Sequence, residues 1–169
     1  MNLSDKISKY IFNNSNKIKI NSKDINKNDV FIALKGNKYH GNRFINEAFL
    51  AGAKFCITDK AHKTTKIKEN LLYVDDTLSF LKTISIKKRS LFCGEVIGIT
   101  GSAGKTSLKQ YLRFFLGKKY KVSSSIKSYN NNLGVMISIL NLNLDSNFAI
   151  FEIGTNNFFE IRDLTKLIK

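Results

Sequence analysis

The residues best suited to chemistry lie in one glycine-rich segment near the middle of the chain. The segment GITGSAGKT covers residues 98–106, and its glycines let successive backbone N–H groups point toward phosphate oxygens. Lys105 can reach the β- and γ-phosphates of a nucleotide, and the Thr106 hydroxyl can ligate Mg²⁺. We therefore expect a nucleotide-binding loop made of Gly101, Ser102, Ala103, Gly104, Lys105, Thr106 and Ser107. The alternative is a glycine-rich strand-to-helix turn that holds no ligand.

A second chemical candidate is Glu152, which follows the apolar run 148–151. A carboxylate at the carboxyl end of a parallel strand faces the crevice in which such folds bind ligands. There it could hold Mg²⁺ directly or through water, so Lys105 and Glu152 are the expected catalytic residues, with Thr106 and Glu152 at the metal. The alternative is an ordinary buried or edge glutamate.

Other polar residues give weaker signals. Asn131 and Asn132, in a run of three asparagines before an apolar segment, could cap a helix or bind a polar substrate. His40 and His62 are isolated in polar surroundings, which is typical of surface histidines, and neither has a metal-ligand partner at suitable spacing.

Strand and helix patterns alternate along the chain and predict parallel βαβ units of the α/β class. Strands are expected at 17–20, 30–34, 55–57, 71–74, 96–99, 120–123 and 148–153, and helices at 3–12, 44–51, 77–92, 105–116, 133–142 and 160–168. The helix after the loop is expected to bury Leu108, Tyr111, Leu112, Phe115 and Leu116, and to end at Gly117 in the C′ position. We place a domain boundary near residue 90. The second part is then the start of a doubly wound parallel sheet, cut short.

Composition restricts the function classes. The 169 residues are 43% hydrophobic and 24% charged, which indicates a globular chain. No run approaches the roughly 20 apolar residues of a membrane helix, the N-terminus lacks the apolar core of a signal peptide, and the two distant cysteines fit a reducing, cytoplasmic compartment. The net charge of +15 comes from lysines spread along the chain, so we expect attraction of polyanionic small molecules without specific nucleic-acid binding.

Several motifs together resemble the Mur ligases, which build the peptide of peptidoglycan. The loop TGSAGKTS resembles their ATP loop, whose glycine spacing accounts for Ile99 at a position where the general phosphate-loop pattern has glycine. YNNNLGV (129–135) and FEIGTN (151–156), the latter with Glu160-Ile161, resemble two further family stretches. In the N-terminal half, NSK (21–23), DVFIALKG (29–36) and AGA (51–53) resemble the UDP-substrate domain.

The resemblance implies a fold and a reaction. Residues 1–90 would be the N-terminal UDP-substrate domain, with Ser22 and Lys23 as candidate contacts, and residues 91–169 a partial ATP-binding domain; the family's C-terminal domain would be absent. The second and third motifs point to the member that joins D-alanyl-D-alanine to UDP-N-acetylmuramoyl-tripeptide, using ATP and Mg²⁺. We expect an N-terminal fragment, inactive alone, of an enzyme that is monomeric when complete.

Two other functions stay open at this point. The chain could belong to another ligase with the same ATP loop, either another Mur-type ligase or an enzyme like folylpolyglutamate synthase. It could instead be a non-catalytic nucleotide- or nucleic-acid-binding module that exploits its positive charge, in which case it would bind duplex DNA tightly and with strong salt dependence.

Overall fold

The chain folds into two compact units, residues 1–82 and 83–169. A computed structural model describes residues 2–15, 17–60, 68–125, 129–154 and 160–169. The chain divides between them after residue 82, eight residues before the boundary predicted near residue 90. Among the described residues, no helix combines the length and apolar character that crossing a bilayer requires.

The first unit is a four-stranded parallel sheet with the order β1-β2-β3-β4. Its strands are β1 (Ile18–Lys19), β2 (Val30–Ala33), β3 (Phe55–Thr58) and β4 (Leu71–Tyr73), and its helices are α1 (Leu3–Asn13) and α2 (Ile45–Leu50), followed by the start of α3 (Thr77–Ser90). Every residue of β2 and β3 is buried, as expected for central strands of a parallel sheet that is covered on both faces. Gly52, with φ of +99°, follows the end of α2 in a left-handed conformation that glycine adopts readily.

The second unit is a three-stranded parallel sheet with the order β5-β7-β6. It comprises β5 (Glu95–Ile99), α4 (Lys105–Gly117), β6 (Val122–Ser124), α5 (Asn132–Leu140), β7 (Phe148–Glu152) and α6 (Glu160–Ile168). The central strand β7 is the last of the three in sequence. This alternation of parallel strands and helices confirms the predicted α/β class and the beginning of a doubly wound sheet.

Side chains of β7 alternate between the two faces of this sheet. Ala149 and Phe151 belong to a hydrophobic cluster with residues of α5 and α6. Glu152 points to the opposite face, where side chains of α4 contact it. Helices therefore cover both faces, and α4 lies on the face that carries the polar end of β7.

The predicted buried face of α4 is wrong. Leu108, Tyr111 and Phe115 are exposed, by 48%, 63% and 63%, and Leu112 and Leu116 are half-buried. The buried residue of this helix is Lys109. Apolar periodicity locates an apolar stripe but does not say which side of a helix meets the sheet. In α4, the side that carries Thr106 and Lys109 faces the sheet, where both residues donate to Glu152. Gly117 is also not in a left-handed C′ position; it is the last residue of α4.

Candidate functional site

The glycine-rich loop connects β5 to α4 and leaves its backbone exposed. Gly104 is the N-cap of α4 and has φ of +75°, a left-handed conformation that residues with a Cβ adopt at a cost. The Lys105 ammonium donates a 2.6 Å hydrogen bond to the Gly101 carbonyl oxygen, which folds the side chain back over the loop. Residues 101–104 are all exposed. The unpaired N–H groups and partial positive charge at the start of α4 therefore face an accessible space, which favours an anion there.

Strand pairing places Glu152 beside this loop. Ile99, the last residue of β5, is in register with Glu152, the last residue of β7, and the Ile153 N–H donates to the Ile99 carbonyl oxygen at 2.8 Å. Because both strands run in the same direction, their carboxyl ends lie at one edge of the sheet. The sequence-based expectation that Glu152 lies next to the loop agrees with this geometry.

The Glu152 carboxylate is 2% exposed and accepts hydrogen bonds from three side chains. Its Oε2 accepts from the Thr106 hydroxyl at 3.0 Å and from Lys109 Nζ at 3.1 Å. Its Oε1 accepts from Asn130 Nδ2 at 3.3 Å. Burial by itself raises the pKa of Glu152, but the hydrogen bonds from Lys109, Thr106 and Asn130 and the charge of Lys109 bring that pKa below its ordinary value. The group is therefore a carboxylate at neutral pH, as a metal ligand must be.

The oxygen atoms of Thr106 and Glu152 fit a magnesium ion. They lie 3.0 Å apart, and adjacent ligands of an octahedral Mg²⁺ with bonds of 2.0–2.1 Å are separated by about 2.9 Å. Within the described ranges, no group of three or more His, Cys, Asp or Glu side chains could hold a metal by itself. A cation at this position would take its other ligands from phosphate and water, which is how Mg²⁺ is usually bound.

Lys109 is absent from the sequence-based prediction, and Asn130 belongs to the predicted asparagine run without being selected there as a site residue. Lys109 lies one helical turn after Lys105, so the two share a side of α4. The apolar stripe of the helix predicted a buried face that did not include them. The Lys109 ammonium also donates to Ser125 Oγ at 3.3 Å. Asn130 is the first of three adjacent asparagines, and the sequence does not say which of them turns toward the strand ends.

The two asparagines that the sequence analysis selected have other surroundings. Asn131 is the N-cap of α5, and its Oδ1 accepts a 2.8 Å hydrogen bond from the Gly134 N–H. This is the capping alternative. Asn132 is exposed in the first turn of α5. The predicted family residues Thr155 and Asn156 lie outside the described residues.

The candidate UDP-substrate residues lie in the first unit, in the single turn of 3₁₀ helix Ser22–Asp24. Ser22 is buried and donates from Oγ to Glu47 Oε1 at 3.1 Å. Lys23 is exposed, and its backbone N–H donates to Asn21 Oδ1 at 3.1 Å. The turn thus presents Lys23 at the surface and uses Ser22 to hold the turn against α2.

His40 is not the isolated surface histidine that the sequence suggested. Its Nδ1 accepts from the Asn42 N–H at 3.1 Å, so its proton is on Nε2, which lies 2.6 Å from Asp59 Oδ1. The other oxygen of Asp59 accepts from the Thr77 N–H and hydroxyl at the start of α3. Burial raises the pKa of Asp59, but the hydrogen bonds from Thr77 and His40 outweigh it and lower that pKa. His62 lies outside the described residues.

Two family models match the chain in succession. The model described as "Mur ligase family, catalytic domain" matches residues 15–95, and the model described as "Mur ligase middle domain" matches residues 99–169. Together they cover the first parallel sheet, the glycine-rich loop and the whole Glu152 cluster.

Curated relatives and solved structures agree with these matches. The chain is 36% identical over 156 residues to UDP-N-acetylmuramoyl-tripeptide–D-alanyl-D-alanine ligase of Rickettsia prowazekii. The aligned region covers 92% of this chain and 34% of that protein. The Bacillus subtilis enzyme of the same name is 30% identical, covering 86% of this chain and 32% of that protein. The crystal structure of MurF ligase from Thermotoga maritima in complex with ADP matches 93% of this chain and 36% of its own, with 30% identity and a TM-score of 0.71. The chain thus spans about a third of the length of the relatives it matches.

Proposed function

Because the chain belongs to the Mur ligase family, we propose that it supplies the UDP-substrate domain and the nucleotide-binding loop of a D-alanyl-D-alanine-adding ligase. Such an enzyme joins D-alanyl-D-alanine to UDP-N-acetylmuramoyl-tripeptide with conversion of ATP to ADP and phosphate. The observation that carries the proposal is the contact between Thr106 and Glu152, at 3.0 Å, beside an exposed phosphate-type loop. The contact puts a buried carboxylate next to the hydroxyl in the first turn of the helix, which is where the Mg²⁺ of a bound nucleotide would lie.

The residues of the second unit divide the work of binding MgATP. The loop amides of residues 101–104 and the start of α4 offset phosphate charge. The Lys105 ammonium, which now donates to Gly101 O, would exchange that partner for a β- or γ-phosphate oxygen, since a charged acceptor forms the stronger hydrogen bond. Thr106 and Glu152 would hold Mg²⁺, which neutralises the charge that develops on the phosphates.

The proposed reaction proceeds through an acyl phosphate. A carboxylate oxygen of the tripeptide attacks the γ-phosphorus of ATP, and the bond to the β-phosphate oxygen breaks to release ADP. The amine of D-alanyl-D-alanine then attacks the acyl carbon, and the tetrahedral intermediate expels phosphate and loses a proton to give the amide. Lys105 would stabilise the transferred phosphoryl group, so the contribution of this chain to the first step would be positioning and charge neutralisation.

The first unit would bind the UDP end of the substrate. Lys23 is exposed on a turn that Ser22 anchors to α2, and an exposed ammonium attracts the negative charge of a diphosphate. Asn131 and Asn132, at the start of α5, stay candidate contacts for the substrate. We place the domain division near residue 90, and we infer a monomeric, cytoplasmic enzyme.

The nucleotide-binding part of this proposal can be tested on this chain by titration calorimetry with ATP. The Kd is measured in excess Mg²⁺ and again in excess EDTA, and we call the ratio of the second Kd to the first the magnesium gain. The wild-type chain should bind ATP with a magnesium gain well above one. Lys105→Ala should weaken MgATP binding by about tenfold or more, because a charge-assisted hydrogen bond contributes about 1.5–3 kcal/mol.

A matched control separates binding at the loop from general attraction to a chain of charge +15. Lys118, just beyond the far end of α4, is exposed and stacks on Phe114, so Lys118→Ala removes the same charge without touching the loop. Equal weakening by both variants would contradict the loop site.

In a protein of the relatives' full length that contains this chain, phosphate release should require both UDP-N-acetylmuramoyl-tripeptide and D-alanyl-D-alanine. Release with a different amino-acid or peptide acceptor would assign another ligase specificity.

A further inference from the structure

The buried ammonium of Lys109 contacts the same carboxylate oxygen that faces Thr106. We propose that Lys109 is a positioning residue that holds Glu152 in the orientation needed to bind Mg²⁺ with Thr106. The inference rests on the proposed function, because it concerns the metal site of that function. It adds a residue to the site that does not itself contact nucleotide or metal.

The geometry of Lys109 suits this role. The residue is 5% exposed, and its Nζ lies 3.1 Å from Glu152 Oε2 and 3.3 Å from Ser125 Oγ. Ser125 directly follows β6, and its N–H donates to the Ile150 carbonyl oxygen of β7 at 3.1 Å. One ammonium therefore connects α4 to residues that follow or end two neighbouring strands.

The two oxygens of Glu152 are fixed from opposite ends of the cluster. Asn130 Nδ2 donates to Oε1 at 3.3 Å, whereas Lys109 and Thr106 donate to Oε2 at 3.1 and 3.0 Å. Without Lys109, Oε2 would keep only the Thr106 hydroxyl among these donors. When the Thr106 oxygen binds a metal, its hydroxyl would no longer hold the carboxylate in place. The carboxylate would then be free to rotate away from the metal position, and its buried charge would lose its neighbouring cation.

Two lysines one turn apart thus have different tasks. Lys105 is half-buried at the exposed loop and donates to a loop carbonyl, where it can exchange partners when phosphate arrives. Lys109 is enclosed and donates to side chains that stay in place. Partners that orient metal ligands typically change metal affinity by about 10–100-fold when they are removed, so the effect of Lys109 should be measurable.

The experiment measures the magnesium gain of Lys109→Met, which has a similar shape and no charge. We expect the gain to fall by about tenfold or more, with the Kd for ATP in EDTA unchanged within about twofold, because Lys109 donates to Glu152 and Ser125, which lie outside the loop. Lys109→Arg keeps a cation with several donors and should restore part of the gain. A double-mutant cycle with Glu152→Gln tests the route of the effect, since Lys109→Met should change nothing further once the carboxylate is gone.

A matched control comes from the other fully buried lysine among the described residues of this unit. Lys88 is 0% exposed and donates to the Leu140 carbonyl oxygen at 2.8 Å, so Lys88→Met measures what the loss of a buried lysine does by itself. A magnesium gain that Lys109→Met leaves intact, or that Lys88→Met lowers equally, would overturn the inference. An equal loss in EDTA and in Mg²⁺ would do the same, because it would show a purely structural role.

The wild-type titration tests the proposed function itself, and a second variant covers the case in which Lys109→Met does not fold. A wild-type chain that binds no ATP, or binds it with no magnesium gain, would overturn the proposed function and this inference with it. Circular dichroism checks that each variant is folded. If Lys109→Met does not fold, Lys109→Gln, which keeps an amide donor at this position, takes its place, and a wild-type magnesium gain in that variant would overturn the inference.

Discussion

The Thr106 hydroxyl donates a 3.0 Å hydrogen bond to Oε2 of Glu152. The first turn of α4 and the end of β7 thus each supply one oxygen atom of a close pair. The pairing follows from strand register, because Glu152 lies opposite Ile99 and only six residues separate Ile99 from Thr106. A short loop between a strand and a helix thus fixes the distance from hydroxyl to carboxylate before any ligand is bound. Preformed ligand pairs of this kind lower the entropy cost of binding a metal.

Thr106→Val is therefore expected to lower the magnesium gain by about tenfold or more, since a lost ligand should affect metal affinity at least as much as a lost neighbour of a ligand. Valine keeps the branched shape of threonine and removes only the hydroxyl. Thr106→Ser, which keeps the hydroxyl, should retain most of the gain. The measurement is the pair of ATP titrations in Mg²⁺ and in EDTA.

Thr165 provides the control for that substitution. It lies in α6, is half-buried, and its hydroxyl donates to the Ile161 carbonyl oxygen at 2.6 Å. Thr165→Val should leave the magnesium gain unchanged. If Thr106→Val also left it unchanged, Thr106 would not be a metal ligand.

Lys88 gives the chain a pH dependence of stability that can be stated with its sign. Its ammonium donates to the carbonyl oxygen of Leu140, the last residue of α5, where helix carbonyls lack intrahelical partners and a cation is favoured. Burial nevertheless lowers the pKa of Lys88 from its ordinary 10.5 to about 8. Between those two pH values the unfolded chain binds more protons at this site than the folded chain does.

The free energy of unfolding should consequently rise as pH increases from about 8 to about 10.5, and the Lys88 contribution to that rise is about 3 kcal/mol. The quantity to follow is the difference between the wild type and Lys88→Met in urea denaturation at each pH, since this difference isolates the contribution of Lys88. The difference should move in favour of the wild type as pH rises. A difference independent of pH would mean that Lys88 keeps an ordinary pKa in the folded chain.

Gly104 and Gly117, at the two ends of α4, should respond to alanine with opposite signs. At both positions an added Cβ would meet no atom within 4 Å, so space does not decide the outcome. Gly104 has φ of +75°, and a left-handed conformation costs a residue with a Cβ about 1–2 kcal/mol. Gly117 is not among the residues with positive φ, and there alanine is favoured over glycine in a helix by about 0.5–1 kcal/mol. Urea denaturation should show Gly104→Ala less stable and Gly117→Ala more stable than the wild type; a stabilised Gly104→Ala would contradict the left-handed turn.

The sequence predicted the elements better than it predicted their orientation. Strand and helix alternation gave the α/β class and located β7 and α6, because runs of apolar residues and helical periodicity are local properties. The orientation of α4 depends on which of its sides meets the sheet, and that is decided by residues distant in sequence. Lys109 faces the sheet and donates to Glu152, which lies 43 residues further along the chain. A contact between residues so distant in sequence cannot be predicted from a local pattern.

Single side chains within a motif were predicted less well for the same reason. The position of Glu152 at a strand end could be predicted, since the end of an apolar run marks it. His40 could not be assigned, because its partner Asp59 lies 19 residues away, beyond helix α2 and strand β3. The run of three asparagines shows the difficulty most clearly, since three identical side chains have three different surroundings.

These asparagines provide the last prediction, in which each alanine substitution alters a different quantity. Asn130→Ala should lower the magnesium gain, because Asn130 Nδ2 donates to Glu152 Oε1 at 3.3 Å. Asn131→Ala should lower the free energy of unfolding by about 1 kcal/mol with little change in the gain, since its Oδ1 caps α5 through the Gly134 N–H at 2.8 Å. Asn132 is exposed, so Asn132→Ala should leave both quantities near wild type. Urea denaturation and the two ATP titrations measure them, and a magnesium gain that depended on Asn132 instead of Asn130 would contradict the arrangement of side chains around Glu152.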